Sequence, residues 1–150
     1  MIAQLLNVLE ISNLKAAVAA GTTTQTSSGL SCNGADNFLF LVLIGTITAT
    51  GVPVISVQGS TDGGSNYNDL AGTGVTLTAT TDDGKIIAVE IDLPDPSFTH
   101  LRVQVTRPTA NAVIDRILGF RHGRRLQPVT QGTLVHASSK YVISPLAGTA

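Results

Sequence analysis

The sequence predicts an all-β chain folded as an antiparallel sandwich, and three observations carry the prediction. Apolar residues alternate with polar ones or fall in short unbroken runs, which is the periodicity of strands. Gly, Thr, Ser, Asn and Asp gather between those runs, where turns need them. Apolar residues reach helical spacing only at Ile2, Leu5, Leu6 and Leu9, a stretch too short for a stable helix and followed at once by Ser12-Asn13.

The elements follow in order. Residues 1–36 read as an N-terminal arm or lead-in followed by a loop, because Gly21 to Gly34 is a run of Thr, Ser, Gly and Gln that suits a surface loop or an edge strand better than a core element. Phe38 to Ile44 is wholly apolar, as in a strand covered on both faces, and Val54 to Gln58 continues it after the Gly51-Val52-Pro53 turn. Ser60 to Asn66 marks an exposed turn, with Tyr67 to Leu70 returning to the sheet. Val75, Leu77 and Ala79 alternate with threonines up to an Asp82-Asp83-Gly84 turn. Ile87 to Leu93 then reads as a half-exposed strand ended by Pro94-Asp95-Pro96, since proline cannot donate to a ladder. Leu101 to Val105 alternates in the same way. Ala112 to Phe120 has apolar residues of both parities, which a bulge or two covered faces would explain. The core prediction names Phe40, Val42, Ile55, Ile91 and Val103. Residues 37–126 are thus the sandwich. Residues 127–150 lack steady alternation and carry Pro128, Gly132, Pro145 and Gly148, so they read as a C-terminal arm on a neighbouring subunit or as a final edge strand.

Composition narrows the function classes. The chain of 150 residues is 43% hydrophobic and 13% charged, enough apolar material for one folded core. Aromatics are 4% and Trp is absent, which disfavours platforms that stack sugars or single-stranded bases. The single Cys32 makes no internal disulfide and belongs to no zinc-spaced set, so a reducing cytoplasm is the expected place of synthesis. The N-terminus has no basic residue before its apolar stretch and is not expected to be a signal peptide. Phe38 to Thr61 is uncharged, but glycines, threonines and Pro53 break it into strands, so no membrane span is expected.

Catalytic signatures are missing: no nucleophile elbow, phosphate loop, zinc-binding helix pair or dinucleotide fingerprint is present. His100, His122 and His136 lie far apart in sequence, and no spacing joins them to Asp115 and a serine as a triad. Asp62, Asn66, Asn68 and Asp69 are oxygen-rich without matching a calcium loop. The expectation is a protein that is not an enzyme, with no cofactor and no metal. Charge is segregated instead. Residues 1–98 hold Lys15 and Lys85 against nine carboxylates, and residues 99–150 hold six arginines and Lys140 against Asp115 alone. The cluster Arg121, Arg124 and Arg125 would suit phosphate, but a pI near 6.2 and the scarcity of aromatics argue against nucleic acid. Salt bridging, within the chain or across an interface, is the expected use. With the apolar Val135, Tyr141 and Ile143 of the C-terminal segment, these arginines form the candidate interface set.

The stretch Val57-Gln58-Gly59-Ser60-Thr61-Asp62-Gly63-Gly64-Ser65-Asn66-Tyr67-Asn68-Asp69-Leu70, followed by Leu101 to Arg107, Asn111 to Asp115 and Gly123-Arg124-Arg125, resembles a family of tailed-phage structural proteins. These are the capsid cementing, or decoration, proteins of short-tailed phages, typified by a jelly-roll protein of a Bordetella phage. The resemblance spans roughly residues 37 to 129. It implies a jelly-roll-like sandwich with extended terminal arms on the outer surface of a virion capsid. The implied partner is the major capsid protein, and the implied free state is a homo-oligomer, a dimer foremost. The alternative from another class is a carbohydrate- or receptor-binding sandwich of a phage fibre, which needs a groove lined by aromatics.

Overall fold

The computed structural model describes residues 9–92, 94–108, 111–122, 140–143 and 148. Those residues form twelve strands and no helix: β1 (Leu9–Lys15), β2 (Val18–Gly21), β3 (Gln25–Thr26), β4 (Leu30–Ser31), β5 (Asn37–Ile47), β6 (Val54–Ser60), β7 (Asn68–Asp69), β8 (Val75–Thr76), β9 (Ile86–Asp92), β10 (His100–Thr106), β11 (Ala112–His122) and β12 (Lys140–Ile143). Sheet A runs β1-β11-β5-β9-β12, with β2 also on β11. Sheet B runs β3-β10-β6-β7, with β4 on β10 and β8 on β6.

Taking β1 with β2, β3 with β4 and β7 with β8 as single broken segments leaves eight in chain order before β12. The first pairs with the eighth, the second with the seventh, the third with the sixth and the fourth with the fifth. This is one long hairpin whose rungs are dealt alternately to two sheets, the jelly roll the resemblance implies. Rolling the hairpin buries the inner face of both sheets at once. Phe38, Phe40, Val42, Ile87, Val89 and Ile91 of sheet A meet Ile55, Val57, Leu101, Val103 and Val105 of sheet B, all fully buried. All five predicted core residues are among them. Each such side chain contributes about 1.5–3 kcal/mol by leaving water.

The uncharged run from Phe38 to Thr61 resolves into β5 and β6, one in each sheet. No helix among the described residues is long and apolar enough to cross a membrane. The mixed parity of Ala112 to Phe120 is a bulge: β11 shifts register against β5 between Ala112 and Ile114 and again between Ile114 and Arg116. Leu77 and Ala79 are buried as their alternation predicts, yet β8 stops at Thr76; their amides bond Pro53 O at 2.8 Å and Gly51 O at 3.3 Å.

Two expectations about the ends of the chain are corrected over the described residues. Residues 9–36 are not a free lead-in: they carry the outer strands β1 to β4 of both sheets, and within Gly21 to Gly34 two two-residue edge strands alternate with loop. Their poor alternation reflects short edge strands, in which side chains replace missing ladder bonds. Between β3 and β4, Ser27 N donates to Val103 O at 2.9 Å while Ser27 Oγ accepts from Val103 N at 3.0 Å. At the other end, 140–143 follow the edge-strand reading and not the arm: β12 lies parallel to β9, Lys140 opposite Val89 and Ile143 opposite Asp92. An unpaired sheet edge satisfies a short segment despite the glycines and prolines around it.

Candidate interaction surface

The strands of sheet A have two apolar faces, and only the inner one meets sheet B. Register defines the outer face. Ile11, Phe120, Leu39 and Glu90 form one row across β1, β11, β5 and β9. Asn13, Leu118, Leu41 and Ala88 form the next, and Arg116, Leu43 and Ile86 the third. Phe120, Leu118, Leu39, Leu41, Leu43, Ile86 and Ala88 are half-buried, and Ile11 is 52% exposed. Every described strand belongs to one of the two sheets, so among the described residues no third layer lies on this face. A contiguous set of half-buried apolar side chains on an otherwise uncovered sheet face makes it the candidate interaction site.

Polar groups bound it. His122 Nε2 lies 3.3 Å from Glu90 Oε1, an ion pair when the imidazole is protonated. At the other end the bulge leaves Asp115 and Arg116 exposed. Both signs of charge therefore flank the apolar rows.

Of the predicted interface set, Arg121 does not join this face. Arg121 is turned to the end of the core: its Nη2 pairs with Glu10 Oε2, and its Nη1 donates to Ser31 O at 3.1 Å and Asn33 O at 3.2 Å. It ties β1 to the loop after β4, so its charge is answered within the chain. Tyr141 and Ile143 are in β12, in register with Glu90 and Asp92. Arg124, Arg125 and Val135 lie outside the described residues. The sequence reading missed the outward leucines and Phe120 as interface candidates, although the doubled parity of β5 and β11 was their signal.

The outer face of sheet B has the opposite character. Asp69, Gln58 and Arg102 stand in register across β7, β6 and β10. Gln58 Nε2 donates to Asp69 Oδ1 at 2.9 Å, Ser56 Oγ to the same oxygen at 3.3 Å, and Arg102 Nε to Gln58 Oε1 at 2.8 Å. The guanidinium of Arg102 lies 3.9 Å above the centre of the Tyr67 ring. Burial pushes the Tyr67 phenol up, with the Arg102 charge acting the other way. The network is closed on itself, and the Tyr67 ring on this face is already covered by Arg102. Arg102, Arg107 and Arg121 are all committed to partners inside the chain, so these three arginines do not form a free stripe for phosphate.

The oxygen-rich turn is also internally used. Asp62 accepts from Ser60 Oγ at 2.6 Å, Asn66 N at 2.8 Å and Ser65 N at 3.1 Å, and Asn66 Nδ2 donates to its other oxygen. Those bonds, from Ser60 foremost, hold its carboxyl well below the usual range. Asp69 points instead to Gln58 and Ser56, so the two carboxylates do not converge on a cation, and no metal-binding cluster occurs among the described residues. His100 is on sheet B while His122 is held by Glu90 on sheet A, and Asp115 is at the far bulge, so these three share no site; His136 is outside the described residues. Burial pushes the Cys32 thiol up to about 11, against the weaker pull of Arg121, leaving it un-ionised at neutral pH and a poor nucleophile.

A cleft of about 670 Å³ opens at one end of the sandwich between residues 31–36 and the segment from Pro94 to His100. Phe98 is its aromatic wall residue and is largely buried. Comparison with known proteins finds no matching family model, no matching curated protein and no matching solved structure.

Proposed function

We propose that the protein is a structural virion component that binds the outside of a capsid shell and cements neighbouring major capsid subunits, after synthesis in the cytoplasm of a bacterial host. The observation that carries the reading is the apolar outer face of sheet A, set against the self-satisfied polar face of sheet B. A cementing protein needs one broad face for apolar contact and one that stays in water, and it needs no ionisable centre. The occupant assigned to the sheet A face is the major capsid protein. The mixed charges at its borders, Glu90 with His122 and Asp115 with Arg116, match a neutral protein surface better than a polyanion. A dimer is the proposed free state, with docking that buries the roughly 800 Å² per partner usual for stable interfaces. No cofactor or metal enters this role.

The cleft beside Phe98 favours a second reading, a carbohydrate- or receptor-binding sandwich of a phage fibre. Fractionating particles tests both. Cementing requires the protein on intact heads, with heads that lose it breaking down under milder heating; its presence on tail fibres alone would replace the first reading with the second.

A further inference from the structure

We infer that Asn33 is a site of spontaneous deamidation, which ages the loop between β4 and β5 by converting a neutral amide into aspartate and isoaspartate. Asn33 is exposed in a turn, and Gly34 follows it with φ at +76°. A Cβ built on Gly34 would meet nothing within 4 Å, so no neighbouring group packs against the turn at that position, and Gly34 carries no side chain to hinder its own nitrogen. Among the described residues neither the Asn33 side-chain amide nor the Gly34 N–H is hydrogen-bonded; Asn33 is held only through its backbone, by Ser31 Oγ and Arg121 Nη1.

The other described asparagines lack this combination. Asn37 is buried in β5 before Phe38. Asn66 spends its side-chain amide and its backbone N–H on Asp62 and precedes Tyr67. Asn13 and Asn68 are fixed in β1 and β7, and Asn111 precedes Ala112, whose Cβ crowds the attacking nitrogen.

The reaction needs only base and water. The Gly34 nitrogen gives up its proton and attacks Asn33 Cγ; that N–C bond forms, the Cγ–Nδ2 bond breaks, and ammonia leaves carrying the amide nitrogen. Water then opens the cyclic imide at either carbonyl. Opening at one side gives aspartate; opening at the other passes the main chain through the side-chain carbon as isoaspartate. Either product places a new carboxylate beside Arg121, which already serves Glu10. The isoaspartyl form also inserts a methylene into the turn whose carbonyl Arg121 holds at 3.2 Å. The loop that borders the cleft and the end of β1 therefore age together.

The test is incubation of the folded protein in mildly alkaline buffer, followed by ion-exchange separation and peptide mapping with an isoaspartyl methyltransferase assay. Asn33 is expected to convert first among the asparagines, more quickly as pH rises, and Asn33→Gln is expected to abolish the early acidic species. If Asn33 stays intact in the folded protein while the denatured chain converts there, or if another asparagine converts first, the inference is wrong. An acidic species that forms at the same rate in Asn33→Gln also overturns it.

Discussion

Arg107 Nη1 donates to the carbonyl of Ala112 at 2.6 Å, closing the connection from β10 to β11 with a side chain that is 1% exposed. The same guanidinium donates to Ala19 O at 3.1 Å, to Thr23 O at 2.8 Å and to Thr23 Oγ1 at 3.2 Å. It joins β2, the turn after it and the start of β11, and desolvation lowers its pKa from the ordinary arginine value. Its charge is met by carbonyl dipoles. Arg107→Met is expected to destabilise the fold by about 2–4 kcal/mol, because each buried acceptor left unpaired costs about 1–3 kcal/mol. Urea denaturation measures it; a midpoint equal to the parent's would show that the clamp is redundant.

Tyr67 depends on an absent side chain. A Cβ on Gly29 would overlap the Tyr67 hydroxyl, so Gly29→Ala is expected to push the ring off its seat and away from Arg102. The stacking is worth about 0.5–2 kcal/mol. The expected result is a lower melting temperature with increased solvent quenching of tyrosine fluorescence, and unchanged quenching would refute the displacement.

The two faces of β5 and β9 should separate folding from docking. Leu41→Ser, on the outer face of sheet A, is expected to cost about 1 kcal/mol or less in stability and to weaken capsid binding. Ile91→Ala, on the inner face, is expected to cost about 2–5 kcal/mol while the folded fraction docks normally. Equal binding by Leu41→Ser and the parent, in head co-sedimentation, would remove sheet A from the proposed interface.

Acid should leave the Asp62 turn in place longer than an ordinary carboxylate turn. The folded pKa of Asp62 is depressed by its hydrogen bonds, so the stability it contributes is fully present above its unfolded value of 3.8 and fades as pH falls from there through the folded value. At pH 3.8 the carboxyl carbon of Asp62 is therefore expected to keep the chemical shift of the ionised form, with Ser65 and Asn66 amides still in their bonded positions. A half-titrated shift at that pH would contradict the bonding.

Local pattern by itself determined the long central strands and their inward residues. Alternation placed Ile87, Val89 and Ile91 in the core, the unbroken run from Phe38 to Ile44 gave a strand apolar on both sides, and Pro94 and Pro96 ended β9 because proline cannot continue a ladder. The mixed parity before Phe120 announced a bulge in β11. Tertiary structure alone decided where the polar, weakly patterned segments went. Ser27 reads as loop until Val103 lies opposite it, and its hydroxyl then stands in for a ladder partner. Arg121 read as a salt-bridging cation without a named partner until the pairing of β1 with β11 set Glu10 across from it. The outward leucines of β5 became a face only when β11 and β9 aligned Phe120, Leu118 and Ala88 beside them. Periodicity encodes which side of a strand is apolar, whereas hydrogen bonds and ion pairs between residues distant in sequence exist only once the chain has rolled up and fixed its register.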